Sequence, residues 1–232
     1  MAKRTKKQQQ AHQNHDFSQL YALGKGIQLL QQTHTANFDA SVDAAVNLGI
    51  DPKNPAHMVR GIVALPHGTG KVPRVLALCT PDKEQEARDA GADHVGLDSY
   101  LSKIAQGWLD FDILVTMPNL MVKVAKLGKV LGPRGLMPNP KTGTVTLAIG
   151  QAIQEIKAGK VPFKADKAGI VHLALGRVSF AEDKLRQNIQ EFIEALKRLK
   201  PSAAKGSYLK ALTLSTTMGA GVRIDLHTLT TP

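Results

Sequence analysis

Cysteine is almost missing from these 232 residues. Cys79 stands alone, which excludes an internal disulfide and fits a reducing compartment such as the cytoplasm. It lies in the apolar run RVLALCT, so a buried, inert thiol is expected. Aromatic residues make up only 4%, so aliphatic side chains must build the core. No apolar run approaches the ~20 residues of a membrane span. The opening MAKRTKK has no apolar stretch of the kind a signal peptide needs and reads as a basic tail. Acidic residues are scarce: 19 stand against 30 Lys and Arg, a formal net charge of +11. This imbalance points to a polyanion, nucleic acid before an anionic membrane.

Catalytic and metal-binding patterns are missing too. The eight histidines are scattered, with no HExxH and no Cys/His ligand spacing. His12 and His15 fall in the tail, and His94 and His172 read as structural residues within strands. There is no GxSxG elbow, and no GxGxxG follows a strand. Gly68-Thr69-Gly70-Lys71 invites a phosphate-loop reading but fails it. Leu65 stands where the first glycine is needed, and Val72 follows the lysine in place of Ser or Thr. No enzyme activity, cofactor or metal is expected.

What is present divides by periodicity. Asp16 to Thr33 carries Phe17, Leu20, Leu23, Ile27 and Leu30 three to four apart, which predicts an amphipathic helix. From Asn37 to Val46 the period is two, which predicts a strand with one buried face. That parity places Phe38 with the buried residues. Met58 to Leu65 is the expected antiparallel partner. Strands at 74–78, 94–97 and 112–116 alternate with helices at 82–90, 99–108 and 119–127. Thr80-Pro81 is expected to cap and open the first of these helices, and a short helix follows at 150–158. Such alternation implies a parallel sheet covered on both faces. Strands at 161–164 and 170–175 then flank the turn ADKAG. Ser179 and Glu182 read as a capping box. The helix behind them buries Leu185, Ile189, Phe192, Ile193, Leu196 and Leu199. Strands at 208–217 and 222–226 close the chain.

The simplest architecture is two-domain: a Rossmann-like three-layer α/β domain, 67–159, inserted into a discontinuous α+β domain, 1–66 plus 160–232. Two crossings of a hinge at 66–71 would let the domains move. The inner segment holds 11 basic and 9 acidic residues, and the remainder 19 and 10. The larger polyanion footprint is therefore expected on the outer domain. RNA is read largely through shape, 2′-hydroxyls and backbone. Two outer stretches offer matching groups: Asn37 to Asp43, with Ser41 and Asp43 outward, and Ser215-Thr216-Thr217-Met218-Gly219. In the second, Met218 can pack on a ribose or base. A solvated strand face and a plain strand-ending turn are the competing readings.

One stretch stands apart. Lys126 to Val145, KLGKVLGPRGLMPNPKTGTV, is interrupted by Gly128, Gly132, Gly135, Pro133, Pro138 and Pro140. Gly132 to Gly143 therefore cannot be regular helix. Lys126, Lys129, Arg134 and Lys141 decorate it with no acidic residue between them, and Leu131, Leu136 and Met137 anchor it. It reads either as a surface for phosphates or as a packed connector. The run GLMPNPKTGTV closely resembles the signature of the bacterial ribosomal large-subunit L-one family, found at the mobile stalk near the tRNA exit site. The resemblance extends from about Leu20 to Ile224. It implies the same discontinuous two-domain form and a structural, non-enzymatic role. The implied partners are the large ribosomal subunit, the 23S rRNA stalk junction, deacylated tRNA in the exit site and the protein's own operon mRNA leader, with the free protein a monomer. Carried across residue by residue, the implied rRNA and mRNA contacts are Phe38, Ser41, Asp43, Asp166, Lys167, Ser215, Thr217, Met218 and Gly219. Lys126, Lys129, Arg134 and Lys141 would form a second RNA or tRNA contact. This chain departs from the family at Asn37, where a basic residue is usual, and at Ser215, where Thr is common.

Overall fold

The computed structural model describes residue 9 and residues 15–52, 54, 57–202, 204 and 206–229. The basic run at the start and His12 lie outside the described residues. The elements begin with strand β1 (Leu20–Tyr21), helix α1 (Leu23–Gln32), β2 (Ser41–Leu48) and β3 (Arg60–Ala64). Next come β4 (Val75–Leu78), α2 (Pro81–Asp89), β5 (His94–Gly96), α3 (Asp98–Ala105) and β6 (Ile113–Thr116). Then follow α4 (Met121–Ala125), α5 (Gly128–Leu131), α6 (Ile149–Lys157) and β7 (Lys160–Lys164). The last are β8 (Ile170–Arg177), α7 (Glu182–Arg198), β9 (Leu209–Thr216) and β10 (Gly221–Ile224). The fold is mixed α/β and α+β. The described chain falls into two compact units, one reaching to Gly70 and resuming at Pro162, the other Lys71–Val161.

The first unit is built on a five-stranded sheet in the order β1-β10-β9-β2-β8. Strand β2 lies between β9 and β8, antiparallel to both. Its alternation buries Val42, Ala44, Val46 and Leu48. The buried stripes of α1 (Leu23, Ile27, Leu30) and α7 (Leu185, Ile189, Phe192, Ile193, Leu196) supply the rest of this core. Phe192 meets Phe163 of β7 edge-on at 5.7 Å between ring centres. Leu199, read as part of the α7 stripe, is instead the exposed residue that ends the helix.

Four local expectations are corrected here. Residues 16–33 do not form one helix. Leu20 and Tyr21 pair in parallel with Arg223 and Ile224, and the helix begins only at Leu23. The partner that captures this stretch lies some 200 residues away, so no local period announces it. Strand β3 does not pair with β2, whose two edges are already taken by β8 and β9. It pairs with β7 in a separate two-stranded ladder. The capping box does not form. Ser179 donates its hydroxyl to Asp39 Oδ2 at 2.8 Å, and Glu182, the first residue of α7, accepts from Gln28 at 2.8 Å. Thr80 does not cap α2 either, because its hydroxyl is turned toward Met117 Sδ at 3.8 Å.

Asn188 is the buried polar residue that an apolar reading of α7 passes over. It is fully buried in the helix. Its amide donates to Leu175 O (2.7 Å) and Gly68 O (3.0 Å), and its carbonyl accepts from His67 N (3.2 Å). One side chain thus satisfies three backbone groups of a non-regular segment and a strand.

The second unit is a parallel three-stranded sheet, β5-β4-β6. Every residue of β4 is buried, as expected of a strand covered on both faces. Val75, Ala77 and Cys79 pack with Ala87 of α2 and Ile149, Ile153 and Ile156 of α6. Leu76 and Leu78 face the other way, toward Ile104 of α3, Val124 of α4 and Leu131 of α5. Cys79 is fully buried, and desolvation pushes its thiol pKa up, so it stays protonated and inert. Asp112, at the start of β6, accepts from Arg74 N (3.0 Å), Arg74 Nε (3.2 Å) and Lys71 Nζ (3.1 Å). The backbone N–H of Arg74 leads in holding its carboxyl down at about 2.

Two stability predictions follow from these anchors. Asn188→Ala leaves buried N–H and C=O groups without partners and is expected to lower unfolding free energy by about 2–4 kcal/mol, read from a urea titration. Asp112 has a folded pKa below its unfolded value, so its contribution is complete above pH ~4 and fades as pH falls through about 2. Asp112→Asn should destabilise the 71–161 unit by about 1 kcal/mol at pH 7, after allowance for solvent screening. The gap between variant and parent should be much smaller at pH 2 than at pH 7 and close below pH 2. A gap unchanged between pH 7 and pH 2 contradicts the assignment.

Candidate nucleic-acid interface

The face of the sheet opposite the helices is made of the other parity of each strand. Ser41, Asp43, Ala45 and Asn47 lie on it from β2. Asp43 and Ala45 pair with Ser215 and Thr213 on β9 and with Ala174 and His172 on β8, Ser41 pairs with Arg177 on β8, and Arg223 of β10 continues the row past Thr213. These residues are half-buried or exposed, and most are small or hydroxylated. Such a face is low, polar and wide, which suits the sugar edge of a nucleic acid more than a narrow ligand.

One end of this face carries a connected cluster. Ser41 donates its hydroxyl to Asp43 Oδ2 at 2.9 Å. Its oxygen also lies 2.9 Å from Thr217 Oγ1. Ser41 has a single hydroxyl proton, already given to Asp43, so Thr217 is the donor in the second bond. The cluster therefore presents acceptor lone pairs on Asp43 and Thr217 to whatever lies above it. The turn beyond β9 is tied down by Thr217 N to Ser41 O (3.1 Å), Gly219 N to Thr216 O (2.9 Å) and the Thr35 hydroxyl to Met218 O (3.1 Å). Met218 is the one described non-glycine residue at positive φ, 65°, and its side chain is 71% exposed. Gly219 is needed for close approach: a Cβ there would sit 2.0 Å from Thr216 Oγ1.

The structure brings Ser41, Asp43, Ser215, Thr217, Met218 and Gly219 together. Phe38 corrects its parity. The chain bends at 37–38 before β2 begins at Ser41, so the alternation does not reach back to it, and its ring is 59% exposed. Asn37 is exposed beside it. Asp166 and Lys167 are not in the cluster. They sit in the turn before β8, whose Ile170 pairs with Asn47, about 20 Å along β2 from Ser41 at ~3.3 Å per residue. Asp166 accepts from Ile170 N (2.9 Å) and Ala168 N (2.8 Å), bonds that hold its carboxyl pKa below the ordinary value. His172 Nε2 lies 3.7 Å from Asp166 Oδ2. It lies within β8 and is exposed on this face, where a structural strand histidine was expected. Thr213 and Arg223 are further members that the motif-based reading missed. Their alternation with Leu212, Leu214, Val222 and Ile224 was the available signal.

The glycine- and proline-broken stretch belongs to the other unit and is structured, as expected. Leu131 is buried and Leu136 and Met137 pack on the same core. The Asn139 side chain accepts from Lys141 N (2.8 Å), and Thr144 Oγ1 accepts from Asn139 N (2.8 Å). Gly143 closes the short turn Pro140–Thr142 in the left-handed region. Thr116 N donates to Thr144 O (2.9 Å), tying the stretch to the end of β6. Lys126, Lys129, Arg134 and Lys141 all stay exposed.

Comparison with known proteins bears on this arrangement. Residues 30–220 match the Ribosomal protein L1p/L10e family. The chain is 58% identical over 225 residues to a protein of Flavobacterium psychrophilum, covering 97% of this chain and 98% of that one. It is 56% identical over 228 residues to one of Amoebophilus asiaticus, covering 98% of each, and 53% identical over 225 residues to one of Bacteroides thetaiotaomicron, covering 97% of each. All three carry the name large ribosomal subunit protein uL1. With likeness of this depth along nearly its whole length, the chain belongs to the Ribosomal protein L1p/L10e family of structural, non-enzymatic proteins.

Proposed function

We propose that this protein is a structural constituent of the large ribosomal subunit that holds rRNA of the mobile stalk on the accessible sheet face of its first unit. The observation that carries the reading is the Met218 turn. A long apolar side chain is held out to solvent on a backbone that costs about 1–3 kcal/mol to maintain. Three hydrogen bonds keep it there. An apolar side chain so placed is suited to lie against a ribose or base. Beside it, the acceptors of Asp43 and Thr217 suit the donor of a 2′-hydroxyl and repel a phosphate, which favours RNA over DNA. The excess of basic residues in the same unit supplies long-range attraction, and the uncharged contacts supply selectivity.

The finer roles rest on the family. The protein helps release deacylated tRNA from the exit site. It represses translation of its own operon mRNA by binding a leader that imitates the rRNA junction. Lys126, Lys129, Arg134 and Lys141 form a weaker second contact to stalk RNA or tRNA. Support comes from their exposure and from the absence of any ion pair to them among the described residues. The working place is the ribosome in the cytoplasm. A coat for nucleic acid of any sequence is the competing reading, and it requires no strained, apolar turn.

The test is a titration of the stalk junction, the same junction with 2′-deoxy sugars, and a plain RNA duplex of equal length, at two salt concentrations. The intact protein should prefer the RNA junction by orders of magnitude at the higher salt. Met218→Asp should remove that preference while leaving the urea midpoint in place. Deoxy sugars at the contact should weaken binding about 10-fold, the worth of one polar contact near 1.4 kcal/mol. Equal binding of all three ligands, lost together in salt, would falsify the reading.

A further inference from the structure

We propose that a lysine-lined cleft at the far end of the five-stranded sheet binds a backbone phosphate of RNA. The cleft has a volume of about 560 Å³. Lys197 and Lys200 enter it from the end of α7, Ser207, Tyr208 and Lys210 from the run into β9, and His227 from the turn after β10. Among the described residues no carboxylate lines it. The neighbouring Arg198 is engaged by Glu191 and Glu194, whereas no described carboxylate lies within ion-pair distance of Lys197, Lys200 or Lys210. Three ammonium groups drawn to one cleft repel each other in the free protein, and an anion between them relieves that repulsion. Tyr208 is part of the lining. It is more than nine-tenths buried, and its hydroxyl has no hydrogen-bond partner among the described residues. A buried polar group left in this way calls for an explanation. Burial pushes its pKa to about 12, so the hydroxyl keeps its proton and remains a donor.

Position decides which anion. Leu48 pairs with Leu209, and Gly49 N donates to Tyr208 O at 2.6 Å. On the other side of the same residues, Leu48 N donates to Gly169 O at 3.0 Å. The cleft therefore flanks the end of β2 that also bears the Asp166–Gly169 turn and Lys167. It lies about one strand length, roughly 20 Å, from the Met218 turn. An RNA lying along the accessible face from Met218 to Lys167 is led to this end of the sheet. The proposal rests on the RNA-binding reading above and extends its footprint to a site that acts through charge, where the Met218 end acts through shape and acceptors.

The experiment compares the full chain with Lys197→Gln/Lys200→Gln/Lys210→Gln, the corresponding triple arginine variant, and Met218→Asp. Binding to the stalk junction and to a plain RNA duplex is measured across a salt series. Phosphate contact predicts that the glutamine variant loses about 1–2 from the slope of log K against log salt and binds the junction about 10-fold more weakly at the higher salt. The arginine variant should keep the parental slope, and Met218→Asp should keep the slope while losing the junction preference. A second arm titrates inorganic phosphate at constant ionic strength, following the Tyr208 and Lys210 amide signals. An unchanged slope and affinity in a folded glutamine variant overturns the proposal, even if Met218→Asp behaves as stated and the RNA reading survives. Binding of inorganic phosphate with no effect on RNA overturns the RNA assignment. If the parent shows no junction preference, the RNA reading fails by itself, and the slope on the plain duplex still decides the cleft.

Discussion

The two faces of strand β2 set the terms for the first unit. Period two commits Val42, Ala44, Val46 and Leu48 to the helix-covered side, because aliphatic area removed from water is the dominant favourable term in folding. The same geometry forces Ser41, Asp43, Ala45 and Asn47 onto the opposite side. Since β8 and β9 occupy both edges of β2, its backbone groups are satisfied within the sheet. What the strand can offer a partner is then side chains on one face. The accessible surface is thus a consequence of how the core is made.

On that surface, charge and contact are separated. The basic excess of the unit acts over a Debye length of about 10 Å and attracts any polyanion. The cluster at Ser41 carries acceptors and an exposed methionine, groups whose interactions act only at contact distance. The positive φ of Met218 is tolerated because Thr35, Ser41 and Thr216 hold the backbone around it, the over-determination that such conformations require. In the second unit the arrangement is reversed. Its glycine- and proline-broken stretch is packed inward through Leu131, Leu136 and Met137, while its basic side chains, with Pro133 and Pro140, reach solvent. The packed-connector reading describes its apolar residues.

Much of this was legible before any coordinates. The parallel unit followed from short apolar runs alternating with helices, and the accessible hydroxyls followed from strand parity and from STTMG. The failures have a common cause. Leu20 and Tyr21 were assigned to a helix because their strand partner is distant. Ser179 and Glu182 matched a capping pattern, but Asp39 and Gln28 compete for their side chains. Phe38 was placed by extending a period beyond the bend that ends it. Asn188 was skipped because a period of apolar residues cannot report the carbonyls that a buried amide will meet. Except at Phe38, where a local bend decides, the decisive partner was remote in sequence.

The sequence by itself determined the sign of the net charge, most of the element types, and which residues of β2 and β9 face away from the helices. Net charge, composition and short-range periodicity are local or summed properties, and they need no fold to be read. Only the tertiary structure decided that Ser41 and Thr217 share a hydrogen bond across 176 residues, that Asp166 and Lys167 lie at the other end of the face, and that Lys197, Lys200 and Lys210 line one cleft with Tyr208. These depend on strand register and helix placement. Packing of the whole chain selects both, and no single segment specifies either.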